Sequence, residues 1–430
     1  MEMGFSVNAQ GHLTAGGLDT VALAEKYGTP LYVMDEDLIR ANCRALRDSL
    51  NAHYSKNGLV LYASKAFCCK KMYRILAEEG LGADVVSGGE LYTALQAGFP
   101  AEKLYFHGNN KTAAELAMAL EAGVGHIVVD NVSELSLLSA LAQANGKTAA
   151  VLLRIKPGID AHTHNFVRTG QIDSKFGFAL ETGEALAAVG DALKLPGVRF
   201  CGIHCHIGSQ IFDIDPFCHA AQVMMQFALD IREKYGCTVE QLNLGGGFGI
   251  RYVPADDPKP LESYMASVSR VVLDFCSAHA FPVPFMCIEP GRSIVGDAGI
   301  TLYTVGGIKT IPGCRTYVSV DGGMTDNPRY ALYHAAYDAV LANKADKAKD
   351  FTATIAGRCC ESGDLIQENT RIQTPAVGDI LAVFSTGAYN YSMASNYNRV
   401  PRLPVVMVRG GADALAVRRE SYEDLVRNDV

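Results

Sequence analysis

Four kinds of residue that could act together in catalysis each follow a strand-like segment of this sequence. Lys65 ends LVLYASK, His206 lies in FCGIHCHIG, and Glu289 lies in FMCIEPGR. A buried, positioned lysine can form an imine with an aldehyde, and a carboxylate can pair with a protonated ring nitrogen. The glycine run that begins at Gly245 would let backbone N–H groups approach a phosphate. Together these residue types could hold a phosphorylated aldehyde cofactor.

Eight strand-like segments must position these residues. They alternate with helical patterns between about residues 59 and 292. Strands joined by crossover helices pair in parallel, and eight such repeats predict a closed (β/α)8 barrel of the TIM type. A doubly wound open sheet is the alternative. In a barrel, the ends of the strands form one rim, where active sites lie, so we expect the candidate residues to share that rim.

A different pattern follows residue 292. Short β-branched or aromatic runs, broken by Gly, Pro and Asp, predict a mainly β C-terminal domain resembling a β-sandwich or barrel. Near the N-terminus, PLYVMDEDLIRANCRAL predicts a strand and then a helix, which could pair with the C-terminal sheet or cap the barrel. We predict a barrel domain at 36–292 and a β domain formed by 1–35 and 293–430.

Composition limits the possible partners. The 430 residues carry a net charge of −8, which argues against nucleic acid or an anionic membrane surface as a partner. The first residues lack the pattern of a signal peptide, and no apolar stretch is long enough to span a bilayer. We therefore expect a cytoplasmic protein. In that compartment most of the 12 cysteines are expected to be small buried hydrophobic residues.

Two of the candidate residues allow other interpretations. Glu289 could form a salt bridge with Arg292 instead of pairing with a ring nitrogen. His204 and His206 alternate with Cys205, so both histidines would face one side of a strand and could bind a metal. The sequence offers no evident third ligand, and we predict no metal site. We expect one imidazole to pack against a planar ligand.

Several motifs resemble those of a known family. YASKA, HIGSQ, GGGFG, EPGR, CESGD and GAYNYSMAS occur in the order seen in diaminopimelate decarboxylases. These are barrel-type pyridoxal-phosphate decarboxylases, related to the ornithine and arginine decarboxylases. The resemblance extends from about PLYVMD to GAYNYSMAS. It implies pyridoxal 5′-phosphate as cofactor and the conversion of meso-2,6-diaminopimelate to L-lysine and carbon dioxide, the last step of lysine biosynthesis.

The resemblance also implies a set of residues that bind the cofactor. Lys65 matches the lysine that binds the aldehyde covalently, His206 the histidine that stacks on the ring, and Glu289 the partner of the ring nitrogen. The remaining predicted cofactor contacts are Ser209, Gly245, Gly246, Gly247, Pro290, Gly291, Arg292 and Tyr389.

A second implied set binds and protonates the substrate. The residues that match substrate-binding positions are Arg292, Arg329, Tyr333, Glu361 and Tyr389. Cys360 matches the residue that returns a proton to the substrate carbon. In this family Cys360 and Glu361 come from the partner subunit, so the resemblance implies a homodimer with shared active sites. Two arginines and one glutamate suit a substrate whose far end is itself an amino acid.

Three other functions are compatible with parts of this pattern. One is a decarboxylase of a basic amino acid such as D-ornithine or D-lysine. Another is an amino-acid racemase, although no motif clearly supplies the second base it would need. The third is a non-catalytic protein that binds pyridoxal phosphate, which is typically a single barrel.

Overall fold

The chain forms two compact units in a computed structural model that describes residues 4–159 and 173–430. The described residues of 43–249 and 258–291 form a barrel unit, and those of 1–42, 250–257 and 292–430 form a β unit. Within the described ranges, no helix is both long enough and apolar enough to cross a membrane.

The strands are, in chain order, β1 (Phe5–Val7), β2 (Leu13–Ala15), β3 (Leu18–Asp19), β4 (Leu31–Asp35), β5 (Gly58–Ala63), β6 (Gly82–Val85), β7 (Leu104–Phe106), β8 (His126–Val129), β9 (Ala149–Lys156), β10 (Phe178–Ala179), β11 (Val198–His204), β12 (Gln241–Asn243), β13 (Phe285–Ile288), β14 (Gly299–Ile311), β15 (Arg315–Val320), β16 (Ala339–Leu341), β17 (Phe351–Ala356), β18 (Leu365–Ile372), β19 (Ile380–Val383), β20 (Val405–Arg409) and β21 (Ala412–Val417).

The α-helices are α1 (Thr20–Tyr27), α2 (Glu36–His53), α3 (Lys70–Glu78), α4 (Gly88–Gln96), α5 (Ala113–Ala122), α6 (Val132–Ala144), α7 (Glu184–Ala192), α8 (Asp215–Tyr235), α9 (Leu261–Ala278), α10 (Arg292–Val295), α11 (Arg329–Tyr333) and α12 (Tyr422–Val426). Short 3₁₀ helices cover Ser64–Ala66, Ala101–Lys103, Ala342–Lys344, Tyr391–Met393 and Tyr397–Arg399.

The barrel unit is built on a closed ring of eight parallel strands. They pair in the order β5-β6-β7-β8-β9-β11-β12-β13, and β13 pairs with β5 to close the ring. All eight predicted strands are present, and the predicted TIM-type barrel with a mainly β C-terminal part is confirmed. Inside the barrel, a buried cluster fills the space between the strands; its members are Leu61, Tyr105, Val128, Leu152, Cys201 and Cys287.

Side-chain caps start several helices directly after the strand ends. The side chain of Ser87 accepts a hydrogen bond from the first turn of α4, and that of Asn131 does the same for α6. Thr112 and Glu115 form a reciprocal capping box at the start of α5. Such caps satisfy backbone N–H groups that have no partner within the helix. The chain therefore turns sharply at the rim, which keeps the strand ends in place.

The β unit is a mixed sheet of nine strands. The main path runs β18-β17-β15-β14-β4-β20-β21, with β19 pairing to β14 and to β16. Strand β4, from the N-terminal segment, pairs antiparallel to β14 and parallel to β20. Of the two arrangements left open by the sequence, the N-terminal strand therefore adopts pairing with the C-terminal sheet. β1, β2 and β3 form a separate small sheet.

A buried carboxylate lies in the β unit next to two tyrosines. Asp326 accepts hydrogen bonds from the hydroxyl of Tyr303 and from the backbone N–H of Gly323, and Tyr32 donates to its carbonyl oxygen. Burial raises the pKa of Asp326 to about 7, although the hydrogen bonds that its carboxylate accepts from Tyr303 and Gly323 lower it. Because the folded protein then holds a proton that the unfolded chain releases, stability falls as pH rises from about 4 to about 7.

We predict that Asp326→Asn weakens this pH dependence. The wild-type free energy of unfolding should fall on the order of 4 kcal/mol more than that of the variant between pH 4 and pH 8, from 1.4 kcal/mol per pKa unit. Unfolding of both proteins in urea at a series of pH values measures this difference. Parallel curves for the two proteins would show that Asp326 is ionised in both the folded and unfolded states.

Candidate active site

Lys65 lies at the barrel rim, in the single 3₁₀ turn Ser64–Ala66 that follows β5. Ser64 and Ala66 are buried, whereas Lys65 is exposed. The expectation of a buried lysine is therefore wrong: the buried neighbours fix its backbone, and its amine remains accessible. The N–H of Ser64 donates to the carboxylate of Asp84 on β6, at 3.0 Å, which ties this turn to the next strand.

Glu289 follows β13 and meets side chains from three other strand ends. Nδ2 of Asn243 donates to its Oε1 at 2.7 Å, and Nε2 of His204 lies at hydrogen-bond distance from Oε2, 3.0 Å. Nε2 of His107 lies 2.8 Å from Oε1. All four residues are buried. The partners of Glu289 are therefore barrel residues, in place of the salt bridge to Arg292 that the sequence also allowed.

The two carboxylates of the rim have opposite pKa shifts. Burial alone would raise the pKa of Glu289, but His107, His204 and their contacts outweigh it and hold that pKa well below the usual range. For Asp84, burial and then the charge of Glu289 raise the pKa well above the usual range, although Lys65 opposes this. Two nearby carboxylates resist being ionised together. A lowered pKa keeps Glu289 ionised at neutral pH, and this charge in turn favours the protonated form of Asp84.

The glycine run follows β12 and packs against neighbouring strand ends. A Cβ atom on Gly246 would lie 2.0 Å from the carbonyl oxygen of Glu289, and one on Gly247 would lie 2.4 Å from that of Gly208. Gly245 has a φ of 68°, which favours glycine. The N–H of Gly246 donates to Nδ1 of His206 at 3.3 Å. These positions have no space for side chains, so the backbone itself forms this part of the rim.

Backbone hydrogen bonds connect the loop that contains Ser209 to the glycine run. Ile211 donates to the carbonyl oxygen of Gly247, and Gly249 donates back to that of Ile211, both at 3.0 Å. His206 and Ser209 are half-buried at the start of this loop. Burial, reinforced by the charge of Lys65, lowers the pKa of His206 well below its usual value. The imidazole is therefore neutral at pH 7.

The turn at Pro290 and Gly291 is hydrogen-bonded to the end of β5, the strand that precedes Lys65. The N–H of Ala63 donates to the carbonyl oxygen of Pro290 at 3.0 Å. A Cβ atom on Gly291 would lie 2.8 Å from that of Ala63. This close approach fixes Lys65 relative to Glu289, because each follows directly on one of the two joined segments.

Within the β unit, two buried arginines lie against one tyrosine ring. The guanidinium carbon of Arg329 is 4.7 Å from the ring centre of Tyr252, and that of Arg292 is 5.5 Å from it. Arg292 also lies 4.7 Å from the ring centre of Tyr389 and donates to the hydroxyl of Tyr252. Arg329 donates to the hydroxyl of Tyr337 at 2.7 Å. The structure thus brings Arg292, Arg329 and Tyr389 together. Tyr333 is half-buried at the end of α11.

A buried aspartate holds the loop that presents Cys360 and Glu361, both of which are exposed. The carboxylate of Asp364 accepts hydrogen bonds from the N–H groups of Met324 and Cys359, both at 2.6 Å. The N–H of Cys360 donates to the side chain of Asn398 at 2.8 Å. These hydrogen bonds therefore hold the backbone of the loop in one conformation.

Sequence reasoning did not identify several residues that the structure places next to the candidates; these are Asp84, His107, Asn243, Tyr252, Tyr337 and Asp364. A signal for two of them was present. Asp84 lies within the apolar segment ADVVSG, and His107 follows directly on KLYF. A polar residue at the end of an apolar barrel strand points to the rim, which is the argument that identified Glu289.

The histidines beside Glu289 also have the spacing of metal ligands. His107, His204 and Glu289 place possible ligand atoms within 4.8 Å of one another. The direct contacts with the carboxylate explain this spacing without an ion. That the protein needs no metal stays a prediction.

Comparisons with known proteins give a consistent result. The family model described as "Pyridoxal-dependent decarboxylase, pyridoxal binding domain" matches residues 36–296. The diaminopimelate decarboxylase of Bacillus subtilis is 51% identical over 98% of this chain and 96% of its own length. The diaminopimelate decarboxylase of Halalkalibacterium halodurans is 50% identical over 99% of this chain and 96% of its own length. A crystal structure of diaminopimelate decarboxylase from M. jannaschii, in complex with L-lysine, has a TM-score of 0.93 at 37% identity and covers 100% of this chain and 98% of that one.

The packing of the glycine run makes one position especially sensitive. Gly246→Ala should destabilise the protein by roughly 3 kcal/mol or prevent folding, because the new methyl group would overlap a backbone oxygen. Gly307→Ala is the matched control, since nothing lies within 4 Å of a Cβ atom there. Urea unfolding of both variants measures the difference. Equal stability would contradict the close approach at Gly246.

Proposed function

The chain belongs to the diaminopimelate decarboxylases, and on this premise we propose which of its residues carry out each part of the reaction. These enzymes are pyridoxal-phosphate-dependent carboxy-lyases. The reaction converts meso-2,6-diaminopimelate to L-lysine and carbon dioxide, the last step of lysine biosynthesis. The observation that carries the assignment is an identity of about 50% over nearly the whole chain.

The barrel rim suits the cofactor. When bound, pyridoxal 5′-phosphate supplies an electron sink for the carbanion that loss of carbon dioxide leaves. An ionised, buried Glu289 is the partner that a protonated ring nitrogen needs. The glycine run, where a Cβ atom on Gly246 would overlap backbone, offers N–H groups to an anion. Lys65 offers an accessible amine for covalent attachment.

We assign the remaining cofactor contacts by position on the rim. His206 is neutral and held through Nδ1, so its ring can pack on a planar ligand without adding charge. Ser209 and Gly245 to Gly247 belong to loops that are hydrogen-bonded to each other and are assigned, with Tyr389, to the phosphate. Pro290, Gly291 and Arg292 complete the predicted set.

We assign the carboxylate at the far end of the substrate to Arg292 and Arg329. Both guanidinium groups are permanently charged, and each can bind a carboxylate through two hydrogen bonds. Tyr333 and Tyr389 are the predicted neighbours in this binding site. Glu361 is assigned to the distal ammonium group. This combination recognises an amino-acid end, whereas ornithine and lysine present only an amine there.

We assign the return of a proton to the substrate carbon to the thiol of Cys360. An exposed thiol can donate a proton and take another from solvent. Cys360 and Glu361 are proposed to act in the active site of the partner subunit, which requires a homodimer. Asp364, which holds this loop, is then a positioning residue.

The setting of the protein is also a proposal. All twelve cysteines are free thiols, which suits the reducing cytoplasm. The net charge of −8 gives no reason to expect a nucleic-acid partner. The predicted domain boundaries, 36–292 for the barrel and 1–35 with 293–430 for the β domain, stay a prediction.

The assignment is tested by carbon dioxide release from several amino acids. The wild-type protein with pyridoxal phosphate should decarboxylate diaminopimelate and leave D-ornithine and D-lysine largely unchanged. Lys65→Ala should lose the visible absorption of the covalently bound cofactor and at least about 1,000-fold in kcat, because no amine attaches the cofactor or releases the product.

Three outcomes would contradict parts of this assignment. Normal turnover by Lys65→Ala would reject the attachment site. Faster release of carbon dioxide from D-ornithine or D-lysine than from diaminopimelate would reject the substrate assignment. An inverted amino acid as the product would indicate a racemase. Lys70→Ala is a suitable control, because this exposed lysine begins α3 five residues further along the chain.

Sharing of active sites is tested by mixing two impaired variants. Lys65→Ala and Cys360→Ala should each be slow alone. When the two are unfolded together and refolded, the sample should regain roughly one quarter of wild-type activity, because about half of the dimers are mixed and each of these contains one intact site out of two. Mixing without unfolding is the control. If activity stays at the average of the two variants, Lys65 and Cys360 act within one subunit.

A further inference from the structure

We propose that His204 and His107 are positioning residues that act on the cofactor only through Glu289. In this interpretation both imidazoles are neutral, carry their proton on Nε2, and hold the carboxylate ionised in one orientation. The proposal rests on the proposed function, because it assumes that Glu289 pairs with the ring nitrogen. It adds a role for two residues to which the proposed function assigns none.

The hydrogen-bonding pattern determines the charge state of His204. A carboxylate oxygen only accepts hydrogen bonds, so Nε2 of His204, 3.0 Å from Oε2 of Glu289, must carry a proton. Nδ1 is buried and has no hydrogen-bond partner among the described residues. A charged imidazolium would place a second N–H at Nδ1 with no acceptor, which is costly in a buried site. His204 is therefore a neutral donor, in agreement with a pKa that burial lowers to about 4.

His107 faces the other oxygen of the same carboxylate. Its Nε2 lies 2.8 Å from Oε1, although the N–H does not point along the line of a hydrogen bond within the described residues. A bare nitrogen lone pair at that distance would repel the carboxylate, so Nε2 carries the proton here too. Burial lowers the pKa of His107, and the nearby charges of Arg154 and Lys111 act in the same direction, although Glu289 opposes them.

The two histidines support each other, and Asn243 completes the arrangement. The rings of His107 and His204 meet edge to face with their centres 4.8 Å apart. The amide of Asn243 donates to Oε1 of Glu289 at 2.7 Å and accepts from the N–H of Gly245 at 2.9 Å. The carboxylate is thus approached by three side chains from three strand ends: Asn243 and His204 donate to it, and Nε2 of His107 lies beside it. It can rotate only if these contacts are broken.

This arrangement predicts a specific effect on the cofactor. A buried carboxylate that loses a donor has a higher pKa, so it competes better for a shared proton, and its orientation is less fixed. The ring nitrogen should then lose its proton in part of the molecules. Binding of the substrate, which uses other residues, should change little. A role limited to packing would instead lower stability and leave the state of the ring nitrogen unchanged.

The experiment compares His204→Leu, His204→Gln, His107→Leu and Glu289→Gln in the holoenzyme. The 15N chemical shift of the cofactor's ring nitrogen, from ring-labelled pyridoxal phosphate, reports its protonation. His204→Leu should shift this signal towards the unprotonated form and lower kcat about ten- to hundredfold at similar KM, as expected for loss of one hydrogen bond to a charged group. His204→Gln keeps a donor and should recover part of both effects.

A double-mutant cycle tests whether the effect passes through Glu289. In the Glu289→Gln background, His204→Leu should have almost no further effect on the 15N signal or on kcat. His126→Leu is the matched control. His126 is also a barrel histidine in contact with a side chain, Gln241, but it lies at the start of β8. This variant should lose stability and keep the wild-type 15N signal.

The outcomes separate the two levels of the proposal. If Glu289→Gln leaves the ring nitrogen as in the wild type, the cofactor assignment of Glu289 itself fails. If Glu289→Gln changes the signal but His204→Leu and His107→Leu do not, only the positioning role fails. Additive effects of His204→Leu and Glu289→Gln would likewise overturn it. Melting temperatures of all variants identify any that fail to fold, and His204→Gln then provides the test.

Discussion

A full negative charge buried at the end of a barrel strand is the constraint that the rest of the rim satisfies. An isolated buried carboxylate would take up a proton instead of staying ionised. Glu289 stays ionised because His107, His204 and Asn243 surround it. These partners follow or end the strands β7, β11 and β12, whose ends are brought together around Glu289 only in the closed barrel. Ionisation of Glu289 therefore depends on closure of the barrel.

The same charge determines the state of its surroundings. It adds to burial in raising the pKa of Asp84, and Asp84 in turn accepts a hydrogen bond from the turn that carries Lys65. Gly246 packs against the carbonyl oxygen of Glu289, so the glycine run and the residue that bears the carboxylate share one close contact. Lys65, the glycine run and Glu289 are therefore fixed relative to one another by backbone contacts.

The sequence predicted the barrel because its signal is periodic and repeated. Eight apolar segments with turn residues after each are hard to misassign, and parallel pairing places Lys65 and Glu289 at one rim. Strand β18 has no such signal, because its sequence, LIQENTRI, is polar, and its pairing to β17 is decided by tertiary contacts. His107 was missed for a different reason. The sequence shows a polar residue after a strand, but not that its ring points at a carboxylate 182 residues away.

The arginines of the β unit illustrate how packing can prepare a charge for a ligand. A carboxylate partner would neutralise an arginine, whereas a tyrosine supports the guanidinium group through its ring face and hydroxyl and leaves the positive charge in place. Arg292 and Arg329 share Tyr252 in this way, so two positive charges are held close together in a buried setting. Such a pair repels a bare ammonium group. A carboxylate would relieve the repulsion between the two charges. The far end of diaminopimelate carries a carboxylate, whereas that of ornithine or lysine carries only an amine.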